Sequence, residues 1–180
     1  IVATWHPHET TVVEVIRDLG LELQVIFNKD AVMVLPSGVN KATGLSAALD
    51  SLGLSPHNVV GVGDAENDHA FLSLCEGAVA VANALSMVQE RADWTTPHDH
   101  GAGVSELIDR IVSTDLGDLE PCLQRHHILL GRRTDNDAAI FLKPYGVNVL
   151  LAGTSGGGKT TLATGIIERL IEQAYQVCVI

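Results

Sequence analysis

The chain has 180 residues, 46% of them hydrophobic, enough to bury one large core or two small ones and too apolar for a disordered polymer. Eleven Lys and Arg against 22 Asp and Glu leave a formal charge of −11, so nucleic acid is not indicated as a partner, because phosphate neutralisation needs clustered cations. Cys75, Cys122 and Cys178 form neither a CxxC pair nor a disulfide framework, which suits a reducing cytoplasm. No apolar run reaches the roughly 18–20 residues of a membrane span, and no signal-peptide pattern opens the chain. The sequence starts at Ile1 without a methionine and stops at Ile180 inside an apolar run, so both ends read as cuts in a longer polypeptide.

Taken in order, Thr10 or Thr11 is expected to cap a helix with Val12, Val13, Ile16 and Leu19 on one side and Gly20 at its end. Residues 21–27 and 31–35 read as strands, with Asn28, Lys29 and Asp30 as the hairpin turn between them. Residues 41–52 read as a helix burying Leu45, Ala48, Leu49 and Leu52, closed by Gly53. Strands at 59–63, 78–82 and 94–96 then alternate with helices at 67–75, 85–91 and 104–112. Apolar strands alternating with helices predict a parallel sheet.

Residues 113–124 carry Asp115, Asp118 and Glu120 with little periodicity and read as a linker. A hairpin follows, with strands at 128–131 and 139–142 around the turn 134–137. The remaining expectations are a buried strand at 147–152, a helix at 159–173 and a strand at 176–180.

Two motifs carry chemistry. The first, Gly61-Val62-Gly63-Asp64-Ala65-Glu66-Asn67-Asp68, sets carboxylates just past the carboxyl end of an apolar strand, where open α/β sheets place ligands. Asp64 and Asp68 are one loop turn apart, and two carboxylates about 4 Å apart repel by roughly 4 kcal/mol at intermediate dielectric. A hard divalent cation reverses that cost, and Mg²⁺ suits oxygen ligands best. Taken alone, the same residues also fit an Asx turn capping the next helix.

The stretch 37–112 resembles the C-terminal part of the Cof-type haloacid dehalogenase phosphatases through four motifs in order. Ser37-Gly38-Val39-Asn40-Lys41 is similar to that family's lysine motif after the cap domain, and Gly63 to Asp68 to its acidic metal motif. Ala80-Val81-Ala82-Asn83-Ala84 with Ala92-Asp93-Trp94, and then Gly101-Ala102-Gly103-Val104, resemble the strand–helix–strand stretch and last helix start that follow. The resemblance implies that Lys41 neutralises the transferred phosphoryl group, Asp64 holds Mg²⁺, and Asn67 and Asp68 complete and orient that site. It also implies a covalent aspartyl-phosphate, which divides one difficult displacement into two easier ones. The family's nucleophile lies in an Asp-x-Asp-x-Thr/Val motif after an early strand, and no such motif occurs here. Asp135-Asn136-Asp137 is preceded by Arg132, Arg133 and Thr134 and followed by Ala138 and Ala139, and reads as a polar turn.

The second motif, Gly153-Thr154-Ser155-Gly156-Gly157-Gly158-Lys159-Thr160, matches G-x-x-x-x-G-K-[ST] between an expected strand and an expected helix. Backbone N–H groups of such a loop curl around phosphate oxygens, and the helix N-terminus adds partial positive charge. This stretch resembles the P-loop ATPase superfamily over 125–180. The resemblance implies that Lys159 reaches the β- and γ-phosphates of ATP or another nucleotide, Thr160 ligates Mg²⁺, and Thr161 supports an α-phosphate.

His6 and His8, His98 and His100, and His126 and His127 are read as exposed histidines, His69 as a candidate to line the acidic site, and Trp5 and Trp94 as core. The expected architecture is α/β: a cap remnant at 1–36, an incomplete parallel Rossmann-like hydrolase core at 37–112, a linker at 113–124 and the start of a P-loop nucleotide-binding unit at 125–180. The expected function is a Mg²⁺-dependent phosphatase of small phosphorylated metabolites, and the alternative is an ATP-binding protein in which the phosphatase-like part is regulatory. Strands lacking neighbours are sticky edges. Residues 147–152 are therefore expected to pair with 59–63 in a hybrid sheet, or two chains to share edges in a homodimer.

Overall fold

The computed structural model describes residues 1–173 and 175–179 and divides into two compact units, Ile1–Leu123 and Gln124–Ile180. The first opens with strand β1 (Val2–Trp5), helix α1 (Glu9–Asp18) and the hairpin strands β2 (Leu23–Asn28) and β3 (Ala31–Pro36). These strands form an antiparallel sheet in the order β1-β3-β2, with Val32 and Leu35 of the central strand buried. Strand β1 was not foreseen. It is short and mostly exposed, so its residues carry little periodicity, and its pairing of Val2 with Val34 and Trp5 with Ala31 is decided 26 or more residues away. Trp5, expected in the core, is 67% exposed, because it lies at the sheet's outer margin. Helix α1 begins at Glu9 with His8 at its N-cap and no capping side chain, in place of the expected threonine cap.

Helix α2 (Lys41–Leu52) starts where the sequence places it, for a local reason. The Asn40 side chain accepts the Thr43 N–H at 3.0 Å while Thr43 Oγ1 accepts the Asn40 N–H at 3.0 Å, a reciprocal cap that satisfies two otherwise orphaned donors. Of its expected buried stripe, Leu49 is buried but Leu52 is 70% exposed.

Strands β4 (Val60–Gly63), β5 (Gly77–Ala80) and β6 (Trp94–Thr95) form the expected parallel sheet in that order, linked by helices α3 (His69–Leu74) and α4 (Ser86–Gln89). Helix α5 (His100–Thr114) follows. Leu72, Ala78, Ala80, Val81, Ala84 and Val88 make the core of this layer, with Val62, Phe71 and Val104 packed against it. The stretch read as a linker is compact: α5 runs to Thr114, a 3₁₀ turn spans Glu120–Cys122, and Leu119 is buried.

In the second unit, β7 (Ile128–Arg132) and β8 (Ala139–Leu142) form the expected antiparallel hairpin, and α6 (Lys159–Glu172) the expected helix. Residues 134–137 are indeed a polar turn, closed by Arg132–Asp137 and Arg133–Asp135 ion pairs. Two expected strands do not form. Residues 147–152 are irregular, with Val147, Val149 and Leu150 exposed by 50%, 53% and 89%. Residues 176–179 are irregular too, and Ile180 lies outside the described residues. An apolar run becomes a strand only when a neighbour satisfies its backbone donors and acceptors, and the sole ladder described in this unit is β7–β8. Within the first unit, β4 pairs with β5 and with no strand on its other side among the described residues.

Candidate active site

The acidic loop leaves the carboxyl end of β4 and closes as a 3₁₀ turn over Glu66–Asp68. Its organiser is Asp68, 3% exposed, whose Oδ2 accepts the backbone N–H of Asp64 at 2.8 Å and of Ala65 at 3.1 Å. Oδ1 of the same carboxylate accepts the ammonium of Lys41. Lys41 Nζ also lies 3.4 Å from Asn67 Oδ1 and 5.8 Å from the centre of the Phe71 ring. A carboxylate this buried requires paired donors, and it has three.

Gly63 makes this arrangement possible. A Cβ there would stand 2.6 Å from Asp68 Cβ and 2.8 Å from Asp68 Oδ2, so only glycine lets the carboxylate fold back onto its own loop.

Asp64 is the more open of the two aspartates. Its Oδ2 accepts the ammonium of Lys29 at 2.5 Å, and Glu66 Oε2 accepts the Lys29 backbone N–H at 2.8 Å. Lys29 sits in the β2–β3 turn at φ 52°, 35 residues before Asp64. Nothing local marks it, since a turn lysine usually faces solvent and Asn28, Lys29 and Asp30 carry only the signature of a hairpin turn.

A cavity of about 420 Å³ opens beside the loop, lined by Lys41, Asp64, Asp68, Phe71, His100 and Val104 among others. His100, set aside as an exposed histidine, thus borders the site. It is held there at φ 45° by Asn83, whose Oδ1 accepts the His100 N–H at 2.9 Å and whose Nδ2 lies 3.2 Å from His100 Nδ1. His69 instead meets the Arg91 guanidinium. Trp94 is half-buried under the Arg110 guanidinium, 4.3 Å from its ring centre.

The donor chemistry fits a hard divalent cation. Asp64, Asp68 and the Asn67 amide offer only oxygen, and a lysine ammonium already stands on Asp64 as a cation would. Asp68 already accepts from Lys41 and two backbone amides and its side chain is 5% exposed, so Asp64, at 39%, is the more accessible of the two carboxylates.

In the second unit Gly153, Ser155, Gly156, Gly157 and Gly158 form an exposed loop ahead of α6, and Thr160 and Thr161 lie in the first turn of that helix. Gly156 and Gly158 adopt φ 77° and 78°, a conformation that disfavours side chains. Lys159 folds back over the loop, its ammonium donating to the carbonyls of Gly153 at 2.9 Å and Thr154 at 2.7 Å.

Comparison with known proteins bears on the first unit. Residues 12–108 match the family model of the haloacid dehalogenase-like hydrolases, more than half of the chain, and the chain belongs to that family. Phosphoglycolate phosphatase 2 of Saccharolobus solfataricus is 37% identical over 90 residues, covering 50% of this chain and 38% of that one. The phosphoglycolate phosphatase of Methanothermobacter thermautotrophicus is 37% identical over 102 residues, covering 57% and 45%. The crystal structure of a haloacid dehalogenase-like hydrolase from Bacteroides thetaiotaomicron superposes with a TM-score of 0.52 at 26% identity, covering 61% of this chain and 42% of that one. The chain spans less than half the length of the two phosphatases it matches. No helix among the described residues is long and apolar enough to cross a membrane.

Proposed function

We propose that this chain supplies the cation-binding and lysine-bearing part of a Mg²⁺-dependent phosphomonoester hydrolase acting on small phosphorylated metabolites. The observation that carries this reading is the convergence of Lys41, Asp64, Asn67 and Asp68 at the carboxyl end of β4, beside a cavity bordered by His100. Asp64 would hold the ion, which neutralises phosphoryl oxygens when bound. Lys41 carries a second positive charge toward the same place, and the buried Asp68 fixes where both groups stand. Residues 1–36 act as the part of a cap that faces the core.

The chemistry that family resemblance implies is attack by an aspartate on phosphorus, loss of the alcohol, and hydrolysis of the resulting aspartyl-phosphate by water. That aspartate is not supplied by an Asp-x-Asp-x-Thr/Val motif in these 180 residues. The 180-residue chain by itself is therefore expected to show no Asp64-dependent turnover of p-nitrophenyl phosphate. In a longer form that carries the motif, Lys41→Ala or Asp64→Ala should lower kcat by roughly 100-fold or more. The named relatives make phosphoglycolate the first substrate to assay, and an unchanged kcat in either variant overturns the proposal.

A second reading rests on the Gly153–Lys159 geometry: the second unit binds ATP or another nucleotide through its phosphates. The Lys159 ammonium is held over the loop by two carbonyls that a phosphate oxygen would replace, and Thr160 would offer its hydroxyl to an accompanying Mg²⁺. Calorimetric titration with MgATP tests it, since equal affinity in the wild type and in Lys159→Ala removes the reading.

A further inference from the structure

The charge nearest the Asp64 carboxylate comes from the N-terminal sheet. Residues 1–36 contain two Lys or Arg side chains, Arg17 and Lys29. Arg17 is exposed and spent on its neighbour Asp18 at 2.9 Å. Lys29 reaches the acidic loop and is bound there twice, through its ammonium to Asp64 and through its backbone N–H to Glu66. The hairpin tip is thus pinned to the loop by one residue, and the two anions it satisfies sit on either side of Ala65.

Both bonds have a direction that matters. The backbone bond to Glu66 does not depend on the lysine side chain, so it can hold the tip in place when the ammonium moves. The ammonium bond engages Asp64, the carboxylate whose oxygens are not otherwise taken up by the loop's own amides. A divalent cation and a lysine ammonium cannot both sit on that carboxylate without facing each other across a few ångströms, and like charges at that range repel. The pair is partly exposed, with each side chain 39% accessible, so exchange needs no opening of the core.

We infer that Lys29 is a positioning residue of the cation site: a displaceable internal counter-ion that occupies Asp64 until a divalent cation takes its place. The inference rests on the proposed cation-binding role of Asp64 and goes beyond it by assigning the competing group. It also assigns the N-terminal sheet a part in that site. While Asp64 lacks a divalent ion, the β2–β3 turn is held against the loop by two bonds, and once the ion binds it is held by one.

The test uses Mn²⁺ as a spectroscopic stand-in for Mg²⁺, with binding to the 180-residue chain read by electron paramagnetic resonance. Lys29→Met keeps the stem and removes the charge, so it should bind Mn²⁺ roughly three- to fivefold more tightly than wild type, the scale of a half-exposed ion pair removed. Lys29→Arg should stay close to wild type. Equal or weaker binding by Lys29→Met overturns the inference. Asp64→Asn separates the two claims: if it binds as well as wild type, the cation-site reading itself fails. Absence of Mn²⁺ binding in every variant overturns both. As a second readout, diamagnetic Mg²⁺ should shift the side-chain NMR resonances of Lys29 and leave those of Arg17 in place. Unmoved Lys29 resonances at saturating Mg²⁺ count against displacement.

Discussion

Asp68 and Asp64 stand in a fixed relation: Oδ2 of the buried carboxylate accepts the backbone N–H of the open one at 2.8 Å. Asp64 therefore owes its direction to a residue four positions later, and the loop is shaped before any ligand arrives. Such preorganisation is what an electrostatic site requires, because orienting the groups is then part of folding and not of binding.

From that relation, Asp68→Ala should lose more than a ligand. It leaves two backbone N–H groups and the Lys41 ammonium without their acceptor, a cost of about 3 kcal/mol. Urea unfolding checks this, and a loss under about 1 kcal/mol would show that the carboxylate does not organise the loop.

Two glycines should respond in opposite directions to the same substitution. Gly63→Ala drives a Cβ into Asp68 and should destabilise the protein by about 1–3 kcal/mol, with weaker cation binding. Gly44 lies inside α2 with open space around it, so Gly44→Ala should stabilise by about 0.5–1 kcal/mol. Equal effects at both positions would contradict the close approach at Gly63.

Removing Asn83 should displace His100 without touching the acidic loop. Asn83→Ala deletes the acceptor for the His100 N–H, and a His100 backbone at positive φ then relaxes. The expected result is a change in the ring resonances of His100 on NMR, with Mn²⁺ affinity at Asp64 within twofold of wild type, a margin of about 0.4 kcal/mol. Loss of cation binding in this variant would mean that the two sides of the cavity are not independent.

The Arg110–Asp118 pair gives a pH dependence whose sign is set. The Arg110 side chain, through its hydrogen bond, holds the Asp118 carboxyl below its ordinary value of 3.8. A depressed folded-state value means that the ionised form is favoured in the native state, so its contribution is present above pH 3.8 and fades as pH falls through the lower folded value. Thermal unfolding of wild type and Asp118→Asn should accordingly converge as pH is lowered from neutrality through this range. A gap that widens in acid would contradict the pairing.

Much of the first unit was legible in the residues because its signals are local. The Asn40–Thr43 reciprocal cap starts α2 at the residue expected, and continuous apolar runs between turn signals mark β4 and β5. The Gly63–Asp68 motif likewise carries part of its own geometry, since the bonds from the Asp64 and Ala65 N–H groups to Asp68 span four residues or fewer. Strand status at 147–152 was not legible, because pairing depends on a neighbour that the run itself does not contain, and the same holds for β1 in the opposite sense. The partner of Asp64 was decided by tertiary structure alone. Lys29 has the local signature of an exposed turn residue, and only the packing of the N-terminal sheet against the acidic loop brings its charge across 35 residues to the carboxylate. His100 is exposed as expected, but its place beside the cavity was not legible, since the bonds that hold it come from Asn83, 17 positions earlier. Composition and motif thus determine which chemistry the chain can hold, because donor type is a property of the residue. Which charges meet depends on long-range contacts whose energies no short window of sequence contains.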